Sequence, residues 1–491
     1  MHKRVPSGAL HHVLIIGSGF GGLGLAIRLQ QAGIDDFLLL EKAGEVGGTW
    51  RDNSYPGAAC GVPSHLYSFS FAPKTDWTRK YAPQAEILEY LRECVERYRL
   101  RPRIRFGCEV MAAVFDEPAG LWRVSLANGE VLAARLLVSA CGQLNRPAIP
   151  ALPGIERFQG QAFHSARWRH ELDLAGQRVA VIGTGASAIQ FVPQLQPKVA
   201  QLTLFQRSAA YVNAKPDRAY RAWELATLRR WPWLQRLDRA LKYLHHEARA
   251  LAFVSWPWLM KPLQWGFRRH LARSMADPEK RAQLLPDYPM GCKRILISND
   301  YYPALAQANV RIVDEAIAEV RERAIVTVDG QEHPCDLLIY ATGFASTEFL
   351  APMRIVGRNG LELARAWREG AEAYKGISVS GFPNLFILYG PNTNLGHNSI
   401  IYMLESQFDY VLGCIEAMQR QGLRYLDVKP EVQRGYNQRI QAGIQHTVWN
   451  QGCSSWYKTS SGKHTNNWPG YTFTYRRLTR APELSDYECT R

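Results

Sequence analysis

His12-Val-Leu-Ile-Ile16, Gly17-Ser-Gly-Phe-Gly-Gly22, Leu23-Gly-Leu-Ala-Ile-Arg-Leu-Gln-Gln-Ala32 and Phe37-Leu-Leu-Leu-Glu41 follow one another near the start of the chain. They read as a β-branched strand, a glycine turn, a helix with apolar residues at helical spacing, and a second strand that ends in an acid. Each glycine has a separate task. Gly17 allows the tight turn, Gly19 lets backbone N–H groups approach a pyrophosphate, and Gly22 allows helix and strand to pack closely. The helix N-terminus attracts phosphate. Glu41 can accept hydrogen bonds from a ribose 2′-hydroxyl and would repel a 2′-phosphate, so this unit suits FAD or NAD rather than NADP.

The pattern recurs at Gln177-Arg-Val-Ala-Val-Ile-Gly183-Thr184-Gly185-Ala186-Ser187-Ala188-Ile189, with Ala188 as the third small residue. The strand that follows, Leu202-Thr-Leu-Phe205, ends in Gln206-Arg207-Ser208 instead of an acid. Arg207 offers paired charge-assisted bonds to a 2′-phosphate and Ser208 adds a hydroxyl, so the second unit suits NADPH. Two nucleotide folds with opposite ribose preferences imply hydride transfer from NADPH to a bound flavin. The fold class expected is therefore α/β, with two Rossmann-like dinucleotide-binding domains.

The rest of the composition narrows the class. The chain has 491 residues, 46% hydrophobic and 21% charged, which predicts two to four compact units and excludes wholesale disorder and fibrous repeats. Lys plus Arg number 59 against 44 Asp plus Glu, a formal charge of +15. Such a surplus raises nucleic acid or an acidic membrane surface as a partner. No helix-turn-helix, zinc or RNA-binding signature accompanies it, and nucleic acid is set aside. Met1 to Leu10 lacks an apolar run long enough for a signal peptide, and no stretch of 18 uninterrupted apolar residues predicts a spanning helix. A cytoplasmic location is expected, with membrane association left open. The nine cysteines (60, 94, 108, 141, 292, 335, 414, 453, 489) are scattered and form no C-x-x-C pair, which predicts reduced thiols and no metal site.

Further motifs carry a family resemblance. Gly47-Gly48-Thr49-Trp50-Arg-Asp52-Asn-Ser-Tyr55-Pro56-Gly57 follows the first unit, and Phe158-Gln-Gly160-Gln-Ala-Phe-His164-Ser-Ala-Arg-Trp168 precedes the second. Ala341-Thr342-Gly343-Phe344 and Gly390-Pro391-Asn392 come later. Together they resemble class B flavoprotein monooxygenases. The F-x-G-x-x-x-H-x-x-x-W run is similar to the type I Baeyer–Villiger branch, a relative of the flavin-containing monooxygenases that usually lack that last Trp. The resemblance spans Val13 to Pro469.

The resemblance implies FAD at Gly17, Gly19, Gly22, Glu41, Thr49, Trp50, Asp52 and Tyr67, with Val110 near the adenine and Ile400 near the flavin ring. It implies NADPH at Gly183 through Ile189, Arg207, Ser208, Lys293 and Arg294, with Trp456 closing over the nicotinamide nucleotide. His164 is expected to serve packing or hinge motion between the two units. In the family reaction a C4a-peroxyflavin inserts one oxygen beside a ketone carbonyl, giving an ester or lactone, and Arg294 matches the active-site arginine. A small lipophilic ketone and O2 are thus the expected substrates. Oxygenation at nitrogen or sulfur, or hydroxylation of a lipophilic substrate, remains the alternative. One departure bears on this choice. After Tyr55-Pro-Gly the family has an Asp, and here Gly61 stands in its place. That Asp orients and balances the arginine, so either a carboxylate elsewhere compensates or ketone oxygenation is weak.

The expected domain order is FAD-binding over 1–145, NADPH-binding over 155–212, a helical insert over 213–286, NADPH-binding again over 287–330, and FAD-binding with the C-terminal tail over 331–491. Asp336-Leu-Leu-Ile-Tyr-Ala-Thr-Gly343 is read as a buried strand re-entering the FAD domain. The insert is expected as helices broken by Pro232, Pro257 and Pro262. From Arg218 to Leu284 it holds 14 Lys/Arg against 5 Asp/Glu, and six of the fourteen tryptophans: Trp223, Trp231, Trp233, Trp256, Trp258 and Trp265. These rings either form the core of an ordinary helical subdomain, the simpler reading, or lie at a lipid interface. The sequence does not set the oligomeric state.

Overall fold

The computed structural model describes residues 10–453 and 455–491; the segment read above for a targeting signal lies, up to Ala9, outside the described residues. The strand Leu10–Ile16 sits inside an eight-stranded sheet, parallel to Phe37–Leu40 on one side and to Val131–Ser139 on the other. Val13 faces Phe37 and Leu136 across the two pairings. Val13 to Ile16 is a continuous buried run, as a parallel strand covered on both faces requires. An antiparallel arm, Val110–Asp116 and Leu121–Leu126, extends this sheet from Val131–Ser139.

A second, five-stranded sheet is parallel throughout, in the order Val310–Val313, Gln201–Phe205, Arg178–Ile182, Leu337–Tyr340, Gln161–His164. This corrects one expectation. Leu337–Tyr340 does not re-enter the first domain but lies between two strands of the second sheet, Leu337 facing both Val179 and Gln161. All four of its residues are buried, and an all-apolar parallel strand fits any doubly covered sheet, so its composition cannot say which. The chain returns to the first sheet only at Arg354–Val356 and Leu385–Ile387. The two crossings run side by side. Ala148 N–H donates to the Gly343 carbonyl at 2.9 Å, and Ala345 N–H to the Arg146 carbonyl at 2.9 Å.

The insert forms helices Ala222–Arg230, Pro232–Ala248, Met260–Ser274 and Pro278–Gln283. Pro232 occupies the first helical position, where its missing N–H costs nothing. Pro262 does not break its helix but falls in the first turn of Met260–Ser274, where no intrahelical acceptor is due. The tryptophan core is also corrected. Phe253, Met260, Phe267, Leu271 and Met275 are buried, whereas the six tryptophans are between 50% and 64% exposed.

The expectation of reduced thiols fails at one pair. Cys292 and Cys453, 161 residues apart, form a disulfide with Cα atoms 6.2 Å apart. Folding brings the segment before Arg294 against the tail before Trp456, a proximity no local spacing announces. The other seven cysteines are free.

Candidate functional site

A cavity of about 1610 Å³ joins the two glycine turns. Gly17 has φ of 102°, and a Cβ there would lie 2.9 Å from the Ala140 carbonyl oxygen, so only glycine fits the turn. A Cβ on Gly22 would collide with the Gly17 carbonyl. Gly19 caps the helix Phe20–Gln31 with no side chain on the terminal N–H groups, leaving them free for phosphate. Ser187 likewise makes no side-chain cap on Ala188–Leu195.

Twenty of the 22 residues expected from sequence line this cavity. They are Gly17, Gly19, Glu41, Thr49, Trp50, Asp52, Tyr67 and Val110 from the first sheet and its loops, Gly183 to Ser187, Ile189, Arg207 and Ser208 from the second, and Lys293, Arg294, Ile400 and Trp456. Gly22 and Ala188 do not; both are buried beneath the turns, where their smallness lets helix approach strand. The same cavity therefore spans both sheets and the tail.

Glu41 is 4% exposed, and its carboxylate already accepts four donors. Ser18 N–H and Oγ reach Oε2 at 3.0 and 2.7 Å, and Ala43 N–H and Arg51 Nη1 reach Oε1 at 3.0 Å each. A carboxylate offers about four lone-pair positions, so a ribose diol seated here displaces the Ser18 hydroxyl or the Arg51 guanidinium. Trp50 Nε1 donates to the Tyr67 hydroxyl at 3.2 Å, with the rings edge-on at 5.5 Å. Ile400 opens the helix Ile400–Gln421, capped by Ser399 Oγ accepting from Ile401 N–H at 3.3 Å. The Trp456 carbonyl accepts from Ser346 Oγ at 3.2 Å.

At the second turn Lys293 Nζ donates to Ser208 Oγ at 2.8 Å. Its pKa is lowered by burial and then by the neighbouring Arg207 charge. Among the described residues no carboxylate pairs with either cation at 4.0 Å or closer, so the adjacent Arg207 and Ser208 and the distant Lys293 come together where an anion would neutralise them. His164 is buried, accepts at Nδ1 from Ala166 N–H at 3.1 Å, and meets Phe344 of the second crossing edge-on at 5.7 Å. It does not line the cavity.

The family model of pyridine nucleotide-disulphide oxidoreductases matches residues 14–232. A curated Baeyer–Villiger monooxygenase of Pseudomonas aeruginosa is 48% identical over 99% of this chain and 93% of its own length. The chain belongs to the Baeyer–Villiger monooxygenase family. Its fold is similar to an oxidised steroid monooxygenase bound to NADP, with TM-score 0.87 and 30% identity over 98% of this chain and 100% of that one. It is similar also to OTEMO in complex with FAD and NADP, with TM-score 0.88 and 27% identity over 98% and 99%. The two glycine cradles and the Arg207–Ser208–Lys293 cluster fit those two nucleotides.

Gly61 stands where the sequence motif leads to an expected Asp. It borders the cavity, is exposed, and a Cβ built on it meets no heavy atom within 4 Å. Among the described residues no carboxylate pairs with the Arg294 guanidinium within 4.0 Å, though the guanidinium lines the same cavity as Gly61. Sequence reasoning missed Lys215, Arg249, His246 and His397, which also line the cavity. Burial pushes His397 down to about 3 and His246 down to about 4. No motif marks these residues, because three different elements bring them together.

Proposed function

We propose that this chain oxygenates ketones to esters or lactones, consuming one NADPH, one proton and one O2 and releasing NADP+ and water. The observation that carries the reading is the single cavity that both glycine turns and Arg294 share. FAD held here would supply the activation of dioxygen, with NADPH as its source of electrons. The chain does the rest. Backbone N–H groups at Gly17 to Phe20 hold the FAD pyrophosphate, and Glu41 takes the ribose. Thr49, Trp50, Asp52, Tyr67, Val110 and Ile400 position the remainder of that cofactor. Gly183 to Ile189 hold the second pyrophosphate, while Arg207, Ser208 and Lys293 grip the 2′-phosphate. Trp456 covers the nicotinamide nucleotide.

Arg294 keeps a fixed positive charge where the carbonyl oxygen becomes an oxyanion, because a guanidinium does not deprotonate. Val62, Phe253 and Leu404 add apolar wall to the same cavity, which limits water there. The nucleotide domains divide, in this reading, at the crossings near 145–153 and 341–346. Holoenzyme supplied with NADPH, 18O-labelled dioxygen, a panel of cyclic, aryl and long-chain ketones, and one sulfide tests the assignment. One labelled oxygen in an ester is expected. Oxidation of the sulfide alone, or NADPH consumption that yields only hydrogen peroxide with every ketone, would overturn it.

We also propose peripheral contact with an anionic membrane through the insert, supported by its six exposed tryptophans and by exposed Arg229, Arg230, Arg236, Lys261, Arg268 and Arg269 around them. No helix among the described residues is long and apolar enough to cross a membrane, so such contact is with the surface. Flotation with anionic vesicles at low salt is expected, and loss on adding salt; absence of flotation at low salt rejects the contact.

A further inference from the structure

Three cations line the cavity on elements other than the glycine turns. Lys215 follows the short strand Val212–Asn213, and its ammonium rides 5.2 Å over the Tyr81 ring. Arg249 caps the end of the insert helix Pro232–Ala248 and donates to His245 Nε2 at 3.0 Å. Arg294 is the third. The Cys60 thiol lies within electrostatic reach of Arg294 and Lys215, and the Tyr81 hydroxyl within reach of Arg249 and Cys60. Lys215 and Arg294 thus flank Cys60, beside the open space at Gly61, and Tyr81 lies between Lys215 and Arg249 in their influence.

Among the described residues none of the three has a carboxylate within 4.0 Å, and the acids nearby are engaged elsewhere. Asp217, the acid that acts most on Lys215 ahead of Asp300, accepts from Arg79 Nε at 3.0 Å and Tyr81 N–H at 3.2 Å. Glu247, behind His397, accepts from Asn398 Nδ2 at 2.6 Å and from Thr472 N–H and Oγ1 at 2.6 and 2.7 Å. The acids that do line the cavity stand at its nucleotide ends. Glu41 and Asp52 bind Arg51, Asp314 accepts from Gln206 beside Glu315, and Glu109 precedes the Val110 strand. Lys215 is half-buried, and burial lowers its pKa, a cost that a bound anion would offset, while Arg249 and Arg294 are exposed and line the same cavity. The two nucleotides already have their own anion sites at the glycine amides and at Arg207, Ser208 and Lys293. Val62, Ala252, Phe253 and Leu263 contribute apolar wall to the same cavity.

We propose that the ketone oxygenated here is an oxo acid, whose carboxylate is met by Lys215 and Arg249 while Arg294 stays with the ketone carbonyl, and whose hydrocarbon portion lies against Phe253 and Leu263. The inference rests on the Baeyer–Villiger reading for the ketone and on the cavity wall for the carboxylate.

The test compares 9-oxodecanoate, methyl 9-oxodecanoate and 2-decanone on the holoenzyme. The acid is expected to exceed the ester and the simple ketone in kcat/KM by about tenfold or more, the effect of one charge-assisted contact. Lys215→Ala and Arg249→Ala should each reduce the acid-to-ester ratio by about tenfold, and Lys215→Arg should restore it. Flavin content of each variant reports folding. Binding is read separately with nonanoate, which has no ketone. It should perturb the flavin spectrum of oxidised holoenzyme with a Kd that weakens about tenfold in Lys215→Ala. If no ketone is oxygenated but nonanoate binds through Lys215, the reaction assignment fails and the carboxylate site stands. If ester and acid are turned over equally and neither substitution changes their ratio or nonanoate binding, the carboxylate site is overturned even though ketones are oxygenated.

Discussion

Arg207→Ala tests the second nucleotide site most directly. Arg207 and Lys293 lie close enough that the Arg charge lowers the Lys pKa, and Lys293 already donates to Ser208 Oγ at 2.8 Å. A 2′-phosphate placed among them would gain a bidentate, charge-assisted contact from Arg207. Such bonds contribute about 1.5–3 kcal/mol. Arg207 is exposed, which favours the lower part of that range. About 1.5–2 kcal/mol corresponds to roughly a 10–30-fold weaker apparent affinity for NADPH. Removing Arg207 also relieves Lys293 of a repelling neighbour, so Lys293 offsets part of the loss. The double variant with Lys293→Ala should therefore lose more than the two single losses multiplied together. The assay is anaerobic flavin reduction, followed by loss of the flavin's visible absorbance as NADPH and NADH are varied. NADH, which has no 2′-phosphate, should be affected less than about threefold by Arg207→Ala. Equal losses with both nucleotides, or unchanged NADPH affinity, would show that Arg207 does not read the phosphate.

Gly61→Asp places a carboxylate in open space beside Arg294 and Lys215, so it should change the coupling of NADPH consumption to oxygenation and lower the acid-to-ester ratio. Equal NADPH turnover, peroxide release and substrate ratio in both forms would refute this. Glu247→Gln weakens the charge-assisted contacts that join the insert to Asn398 and Thr472, at about 1–3 kcal/mol. Limited proteolysis should then cleave the insert faster, and unaltered cleavage would count against the latch. Acid should destabilise the fold through His246, His397 and His464, whose pKa values burial lowers to about 4, about 3 and about 4. Below the unfolded value of about 6.5 the unfolded chain binds protons that the folded one refuses, so stability falls as pH drops from 6.5 toward 4. At pH 5 the loss is up to about 2 kcal/mol per histidine. Denaturant midpoints measured at pH 5 and 7 check it, and His464→Phe should shrink the difference.

Both glycine turns were legible in the sequence because each is a local device. Strand, turn, helix and the residue ending the next strand lie within thirty or so positions, and the difference between Glu41 and Arg207 shows at once. The strand Leu337–Tyr340 was misplaced because Leu-Leu-Ile-Tyr satisfies any doubly covered parallel sheet, and only pairing with Arg178–Ile182 and Gln161–His164 assigns it. The Cys292–Cys453 bridge was invisible for a related reason, since 161 residues separate two thiols that only the folded chain brings together.

The insert shows the same limit in its charges. Its surplus of basic residues looks uniform along the sequence, yet folding sorts it into three groups with different physical work. Arg239 turns inward and donates to the His65 and Ser68 carbonyls at 2.7 and 2.8 Å, pinning the insert to the first domain. Arg249 lines the cavity, with no carboxylate within 4.0 Å among the described residues, which suits the proposed anionic guest. Arg269 lies outside, 5.5 Å over the Trp265 ring, among residues that keep both charge and aromatic surface in contact with solvent. Net charge therefore could not decide among structural, substrate and membrane roles, because each of the three groups answers a different one. Substitution separates them: Arg249→Ala should alter substrate choice and leave vesicle flotation intact, whereas replacing Arg268 and Arg269 together should do the reverse. A joint loss of both properties from either change would mean that the two faces of the insert do not act independently.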